Sequence, residues 1–63
     1  MSNYVLEDAV FSFRKLKVNG IMIFDDYRWE GVKKGIDAFL SVYSKKIQFL
    51  GLVEDQVFIK KIN

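Results

Sequence analysis

The residues of this chain whose types could do chemistry are two adjacent aspartates, Asp25 and Asp26, followed by Tyr27. They come directly after four apolar residues, Ile21 to Phe24, which predict a strand buried on both faces. Ligands of open α/β sheets bind just beyond the carboxyl ends of strands, where this pair would lie. Adjacent carboxylates supply the hard oxygen ligands that Mg²⁺ prefers. The alternative is a strand-end turn in which one aspartate caps the following helix.

Hydrophobic periodicity predicts the elements that must position this pair. Residues 3–18 are predicted to form an amphipathic helix, which Asn19-Gly20 ends because either residue tolerates a left-handed backbone. After a loop from Asp25 to Glu30, a second helix is predicted from about Gly31 to Ser44. The apolar stripes of the two helices comprise Leu6, Ala9, Val10, Phe13 and Leu16 in the first, and Val32, Ile36, Phe39, Leu40 and Tyr43 in the second.

The last part of the chain is predicted to be β-structure. Lys46 to Val53 and Gln56 to Ile62 are rich in apolar residues, and the polar link Glu54-Asp55 is short enough for an antiparallel hairpin. Lys60-Lys61 is typical of a charged edge strand. The order helix–strand–helix–strand–strand predicts a small α/β unit of two or three layers, with a three-stranded mixed sheet and a helix on each face.

Size and composition limit the kinds of protein that this chain can be. Its 63 residues predict a single domain, and a domain of about 60 residues is marginally stable without disulfides, a metal or association. The chain has no Cys for a disulfide, and the absence of His argues against a zinc site. Because 51% of the residues are hydrophobic, self-association is the expected source of added stability.

Charge and hydropathy predict a cytoplasmic protein that binds neither membranes nor nucleic acid. The formal net charge is only +2, and the basic residues are spread from Arg14 to Lys61 instead of clustering as a nucleic-acid footprint requires. No apolar run approaches the roughly 20 residues of a membrane span. The first three residues lack the basic and apolar regions of a signal peptide.

Three stretches of the sequence together carry a family pattern. They are Glu7 to Lys17, Asn19 to Tyr27 and Gly31 to Phe39. The pattern is a helix ending in a Leu-Lys turn, an apolar strand closing on Asp-Asp-Tyr, and a helix that begins Gly-Val and contains Asp-Ala-Phe. It resembles the C-terminal end of a class I S-adenosylmethionine-dependent methyltransferase of the macrocin O-methyltransferase-like group. The resemblance covers essentially the whole chain, but only about the last third of a usual methyltransferase domain.

The resemblance implies a role for the paired aspartates. In that group they help to hold a divalent cation, usually Mg²⁺, which orients the substrate hydroxyl; here they correspond to Asp25 and Asp26. The family takes a further acidic ligand and its base from an earlier strand, and its S-adenosylmethionine from a glycine-rich loop. The part of the family pattern that would hold the earlier strand is not among these 63 residues. The glycine-rich loop is not among them either, because the glycines at 20, 31, 35 and 51 form no cluster. We therefore expect a truncated methyltransferase-like domain, without catalytic or cofactor-binding residues of its own and inactive alone.

The resemblance also implies which strand lies at an edge. The last strand would insert antiparallel between the other two, which leaves the first strand bare along one side. A bare apolar edge is a template for pairing with another chain. We therefore predict a homodimer joined by antiparallel pairing of two such strands through the edge residues Ile21, Met22, Ile23 and Phe24, which gives a continuous six-stranded sheet. A partner of another kind would be another methyltransferase chain.

Two aromatic residues near the paired aspartates have two interpretations. Tyr27 and Trp29 could line a substrate pocket, or they could be anchors at an interface, where both residue types are enriched.

The chain as a whole also has an alternative interpretation. It would then be a stand-alone, non-catalytic module for self-association or for binding another protein.

Overall fold

The computed structural model describes the backbone of residues 3–63 and the side chains of residues 5–63. The elements in chain order are α1 (Asn3–Lys15), β1 (Ile21–Phe24), α2 (Glu30–Val42), β2 (Ile47–Val53) and β3 (Gln56–Lys61). All five predicted elements are confirmed. The first helix ends earlier than predicted, at Lys15, and the chain then turns back at Asn19, whose left-handed φ of 76° matches the predicted helix stop.

The last strand, β3, lies in the middle of the sheet, in the order β1-β3-β2. Its residue Ile59 lies opposite Met22 of β1 and opposite Phe49 of β2, and both pairings are antiparallel. The central position of β3 agrees with the predicted order. The prediction of a mixed sheet was wrong, because β3 separates the two strands that run in the same direction and leaves only antiparallel neighbours.

Both helices pack on the same face of the sheet, and the hydrophobic core lies between the two layers. The prediction of a helix on each face was wrong, since α1 and α2 contact each other, which an intervening sheet would prevent. Burying both apolar stripes against one sheet face gives a single core. Its buried members are Ala9 and Phe13 from α1, Ile36 and Phe39 from α2, and Phe24, Val57 and Ile59 from the sheet.

Phe39 lies at the centre of this core. Its side chain is fully buried, and its ring centroid lies 5.4 Å from those of Phe13 and Phe24 and 4.9 Å from that of Tyr43. The rings come from both helices and from β1. One aromatic cluster therefore joins the two layers, with two inclined ring pairs and one stacked pair, the arrangements that aromatic packing favours.

The first strand, β1, is buried on one face only. Phe24 is 8% exposed and Met22 packs against the core, whereas Ile21 and Ile23 are 48% and 53% exposed. The predicted burial on both faces was wrong. Side chains alternate between the two faces of a strand, and the helices cover just one of these faces.

The strand at the other edge, β2, also exposes apolar side chains. Its ladder with β3 is interrupted by a bulge between Phe49 and Gly51, where Gly51 has a φ of 154°. A bulge twists a strand edge and disrupts further pairing. The exposed large apolar residues of β2 are Phe49, Leu50, Leu52 and Val53.

Lys61 of β3 fastens the end of α1 to the sheet. Its Nζ donates hydrogen bonds to the carbonyl oxygens of Phe13, at 2.9 Å, and Leu16, at 2.7 Å, and lies 4.7 Å from the centre of the Phe13 ring. The last carbonyls of a helix lack partners within the helix, and a cation there also suits the helix dipole. The prediction that Lys60-Lys61 marks an edge strand was wrong, because β3 is central.

Candidate functional site at the carboxyl end of β1

The paired aspartates lie in the turn directly after β1. The backbone N–H of Asp26 donates to Oδ1 of Asp25, at 2.9 Å, and Asp26 adopts a left-handed φ of 59°. The carbonyl oxygen of Asp26 accepts the N–H of Trp29, at 3.0 Å. The strand-end turn is therefore present, but neither aspartate caps α2, since the N-cap position is Trp29 and no side chain bonds there. Both carboxylates are exposed.

A third carboxylate, that of Asp55, joins the pair from the β2–β3 turn. Its Oδ1 accepts the backbone N–H of Arg28, at 2.6 Å, and its carbonyl oxygen accepts the N–H of Tyr27, at 3.0 Å. The β1–β3 register places Phe24 opposite Val57, so this turn must lie beside the end of β1. Asp55 was not among the predicted site residues. The predicted strand order contained the signal, because a strand neighbouring β1 brings its own turn to the same end.

The three carboxylates form a donor set suited to a hard cation. Asp25, Asp26 and Asp55 can each offer one oxygen such that the three atoms lie within 4.8 Å of one another. Carboxylate oxygens are the ligands that Mg²⁺ and Ca²⁺ prefer, and Mg²⁺ usually keeps several waters beside one or two carboxylates. The cluster thus fits the ion that the resemblance implies. With two exposed members and one half-buried member, it lies open to solvent.

Tyr27 is held against α2. Its hydroxyl donates to Oδ1 of Asp37, at 2.7 Å, and its ring packs against the core, with Lys33 Nζ 5.3 Å from the ring centre. This hydrogen bond raises the pKa of the Tyr27 phenol above its ordinary value, with burial and the negative charge of Asp37 adding to the effect. Tyr27 is therefore a neutral anchor of the loop after β1.

Trp29 is the more exposed of the two predicted aromatic residues. Its side chain is 69% accessible to solvent. Neither Trp29 nor Tyr27 lines the groove beside β1. The structure thus places Trp29 on the open surface in front of α2, where an apolar ring of this size is available to a partner.

A groove with a volume of about 340 Å³ lies between α1 and β1. Its α1 side includes Val5, Asp8 and Ser12, and its β1 side includes Met22 and Ile23. Asp25 and Asp26 also line it, and none of the basic residues that the structure describes does. The open edge of β1 and the paired aspartates therefore belong to one continuous surface.

The comparisons with known proteins give no relative for this chain. No protein-family model, curated protein or solved structure matches it. Neither helix among the described residues is long and apolar enough to cross a membrane. The resemblance to the methyltransferase group therefore stays a prediction from the sequence.

Proposed function

We propose that this chain is a methyltransferase-like unit that has no activity by itself. The observation that carries the proposal is the strand order β1-β3-β2 with the paired aspartates at the end of β1. This is the order that the resemblance implies. The convergence of Asp55 on Asp25 and Asp26 supports it further, because three hard ligands suit a cation that orients and polarises a substrate hydroxyl.

The proposed inactivity concerns the cofactor. Class I methyltransferases hold S-adenosylmethionine on a glycine-rich loop after a strand. The four glycines of this chain lie elsewhere: Gly20 precedes β1, Gly31 and Gly35 lie in α2, and Gly51 lies in the bulge of β2. A sulfonium cofactor would therefore have no cradle among these residues. On this proposal, methyl transfer requires a second polypeptide that supplies it.

Isothermal titration calorimetry with S-adenosylmethionine tests the inactivity directly. We expect no heat of binding at cofactor concentrations up to about 1 mM. The titration would detect a Kd of about 1 mM or tighter, which corresponds to a binding free energy of roughly 4 kcal/mol or more. The titration is repeated with Mg²⁺ present, because the family uses both. A saturable heat in either titration would show that the chain binds the cofactor unaided, and this part of the proposal would then be wrong.

Urea unfolding with and without Mg²⁺ tests the cation site. A ligand that binds only the folded state at ten times its Kd stabilises that state by about 1.4 kcal/mol. We expect Mg²⁺ to stabilise the chain and the Glu54→Gln control, but not Asp55→Asn, which keeps an acceptor for Arg28 and loses one charge. Equal responses of Asp55→Asn and Glu54→Gln would mean that the three carboxylates are a solvated turn.

A second function, association with another polypeptide, is favoured by a different observation. The edge strand β1 exposes Ile21 and Ile23 and borders an open groove. An uncovered apolar edge with a neighbouring groove is the surface that strand addition uses. Sedimentation velocity over about 1–100 µM tests this function, since so short a strand makes a small interface of modest affinity. A purely monomeric chain over that range would contradict self-association.

A further inference from the structure

The backbone pattern of β1 determines how a second strand can pair with it. The carbonyl oxygen of Gly20 accepts the N–H of Lys61, at 2.9 Å, so the carbonyl group of Gly20 points toward β3, and the N–H of Ile21, on the other side of the same peptide bond, points away from β3. Hydrogen-bonding residues alternate along an antiparallel strand. Met22 and Phe24 therefore also point their backbone groups toward β3, and Ile21 and Ile23 point theirs toward the open edge.

These two edge residues make β1 self-complementary. Two copies running antiparallel can place Ile21 of each opposite Ile23 of the other, which forms two hydrogen-bonded pairs and four N–H···O bonds. Met22 then lies opposite its own copy on the two-fold axis. Residues opposite each other share a face of the sheet, so the four isoleucine side chains meet on the face that the helices leave uncovered.

The ends of β1 are complementary as well. The acidic residues Asp25 and Asp26 follow the strand, whereas the exposed Lys17 precedes it by a short turn. Antiparallel pairing brings the acidic end of one copy beside the basic end of the other, whereas parallel pairing would bring like charges together. The charge distribution therefore favours a second copy of this chain in the antiparallel direction.

We propose that two copies of this chain pair antiparallel through β1, in the register that puts Met22 opposite Met22. The proposal rests on the association function above and specifies its partner. The result is a continuous six-stranded sheet around a two-fold axis. The other edge is less suitable, because the bulge between Phe49 and Gly51 interrupts regular pairing along β2.

Single-cysteine variants test the register, since the natural chain has no cysteine to interfere. In the proposed pairing, Met22 forms a non-hydrogen-bonded pair with Cα atoms about 4.5 Å apart, within the range of a disulfide. We expect Met22→Cys to form a covalent dimer under mild oxidation. Ile23→Cys reports a register shifted along β1, and Phe49→Cys reports pairing through β2; both should cross-link at least tenfold more slowly.

The outcomes separate this register from association in general. Dimers that sediment normally but cross-link best through Ile23→Cys or Phe49→Cys would overturn the register or the edge and leave the association standing. A chain that sediments as a monomer and whose Met22→Cys form does not cross-link would overturn both. In that case the edge of β1 would be open to a different polypeptide.

Proline substitutions give an independent test of which backbone groups are used. Ile23→Pro removes an N–H that points to the open edge, so it should keep the fold and raise the dimer Kd by at least about tenfold. Met22→Pro removes an N–H that points to β3, so it should break a hydrogen bond of the β1–β3 ladder and lower the urea midpoint of unfolding. If Ile23→Pro stays folded by circular dichroism and dimerises as tightly as the natural chain, the proposed pairing is wrong.

Discussion

Replacing Lys61 by Met tests whether one side chain of β3 holds α1 in place. The substitution keeps the length and apolar stem of the side chain but removes its charged nitrogen. That nitrogen donates to the carbonyl oxygens of Phe13 and Leu16 and lies against the Phe13 ring. Since α1 supplies the buried residues Ala9 and Phe13 to the core, loosening its end should weaken the whole fold.

The size of the effect can be estimated from these contacts. A hydrogen bond from a charged donor contributes about 1.5–3 kcal/mol, but the Phe13 carbonyl also accepts the N–H of Leu16, at 3.1 Å, and so keeps one partner. The site is half-buried, which lowers the value further. We therefore expect a loss of about 2 kcal/mol. At roughly 0.05–0.15 kcal/mol per residue, the whole chain has about 3–9 kcal/mol of stability, so this loss is a large fraction.

Urea unfolding followed by helical circular dichroism measures the loss. With an m-value near 1 kcal/mol/M for so small a protein, the midpoint of Lys61→Met should fall by about 2 M. The matched control is Lys60→Met, which removes the same charge from the adjacent position on the opposite face of β3. Both are measured at one protein concentration, because association adds to apparent stability. Equal shifts for the two variants would refute the anchoring role of Lys61.

Three further substitutions test the core, the loop after β1 and the turn before β1, and the first and the last of them have a control variant. Phe39→Ala should cost about 3–5 kcal/mol and leave the chain largely unfolded by circular dichroism, whereas Phe11→Ala, at a side chain 61% exposed, should change stability by less than about 0.5 kcal/mol. Tyr27→Phe should lower the free energy of unfolding below pH 10, because it removes the hydrogen bond that raises the folded-state pKa of Tyr27. The difference in stability from the natural chain, measured by unfolding titrations, should disappear as the pH rises through that folded-state pKa. Gly20→Ala should destabilise by about 1–3 kcal/mol, since its Cβ would lie 2.8 Å from a backbone carbonyl, whereas Gly31→Ala, with open space around it, should be neutral or stabilising in thermal melts.

The elements were predictable from the sequence because their signals are local. The helical stripe that includes Phe13 and the polar link at Glu54-Asp55 each lie within one short segment. The faces of β1 were not predictable in this way. Ile21 and Ile23 are as apolar as the residues between and after them, so the sequence carries no mark of which face the helices cover. That choice depends on where the connections carry both helices.

The contacts that the sequence did not reveal join distant segments. Asp55 reaches the paired aspartates from 29 residues beyond Asp26, through the register of β3 against β1. Lys61 is a lysine within an apolar alternation, and its role depends on α1 ending above that face of the sheet. In both cases the residue type was visible, but its partner was fixed only by the order of the strands.

The proposed cation site and the proposed dimer share the acidic end of β1, so each should affect the other. Pairing brings the Lys17 end of the partner toward Asp25 and Asp26, where its positive charge offsets part of the negative charge that attracts Mg²⁺. A bound cation would in turn weaken the attraction between the two strand ends. Because linkage is reciprocal and the dimer carries two such sites, the factor by which saturating Mg²⁺ raises the dimer Kd must equal the square of the factor by which dimerisation raises the Mg²⁺ Kd of each site. Independence of the two equilibria would separate the function of the carboxylates from that of the strand edge.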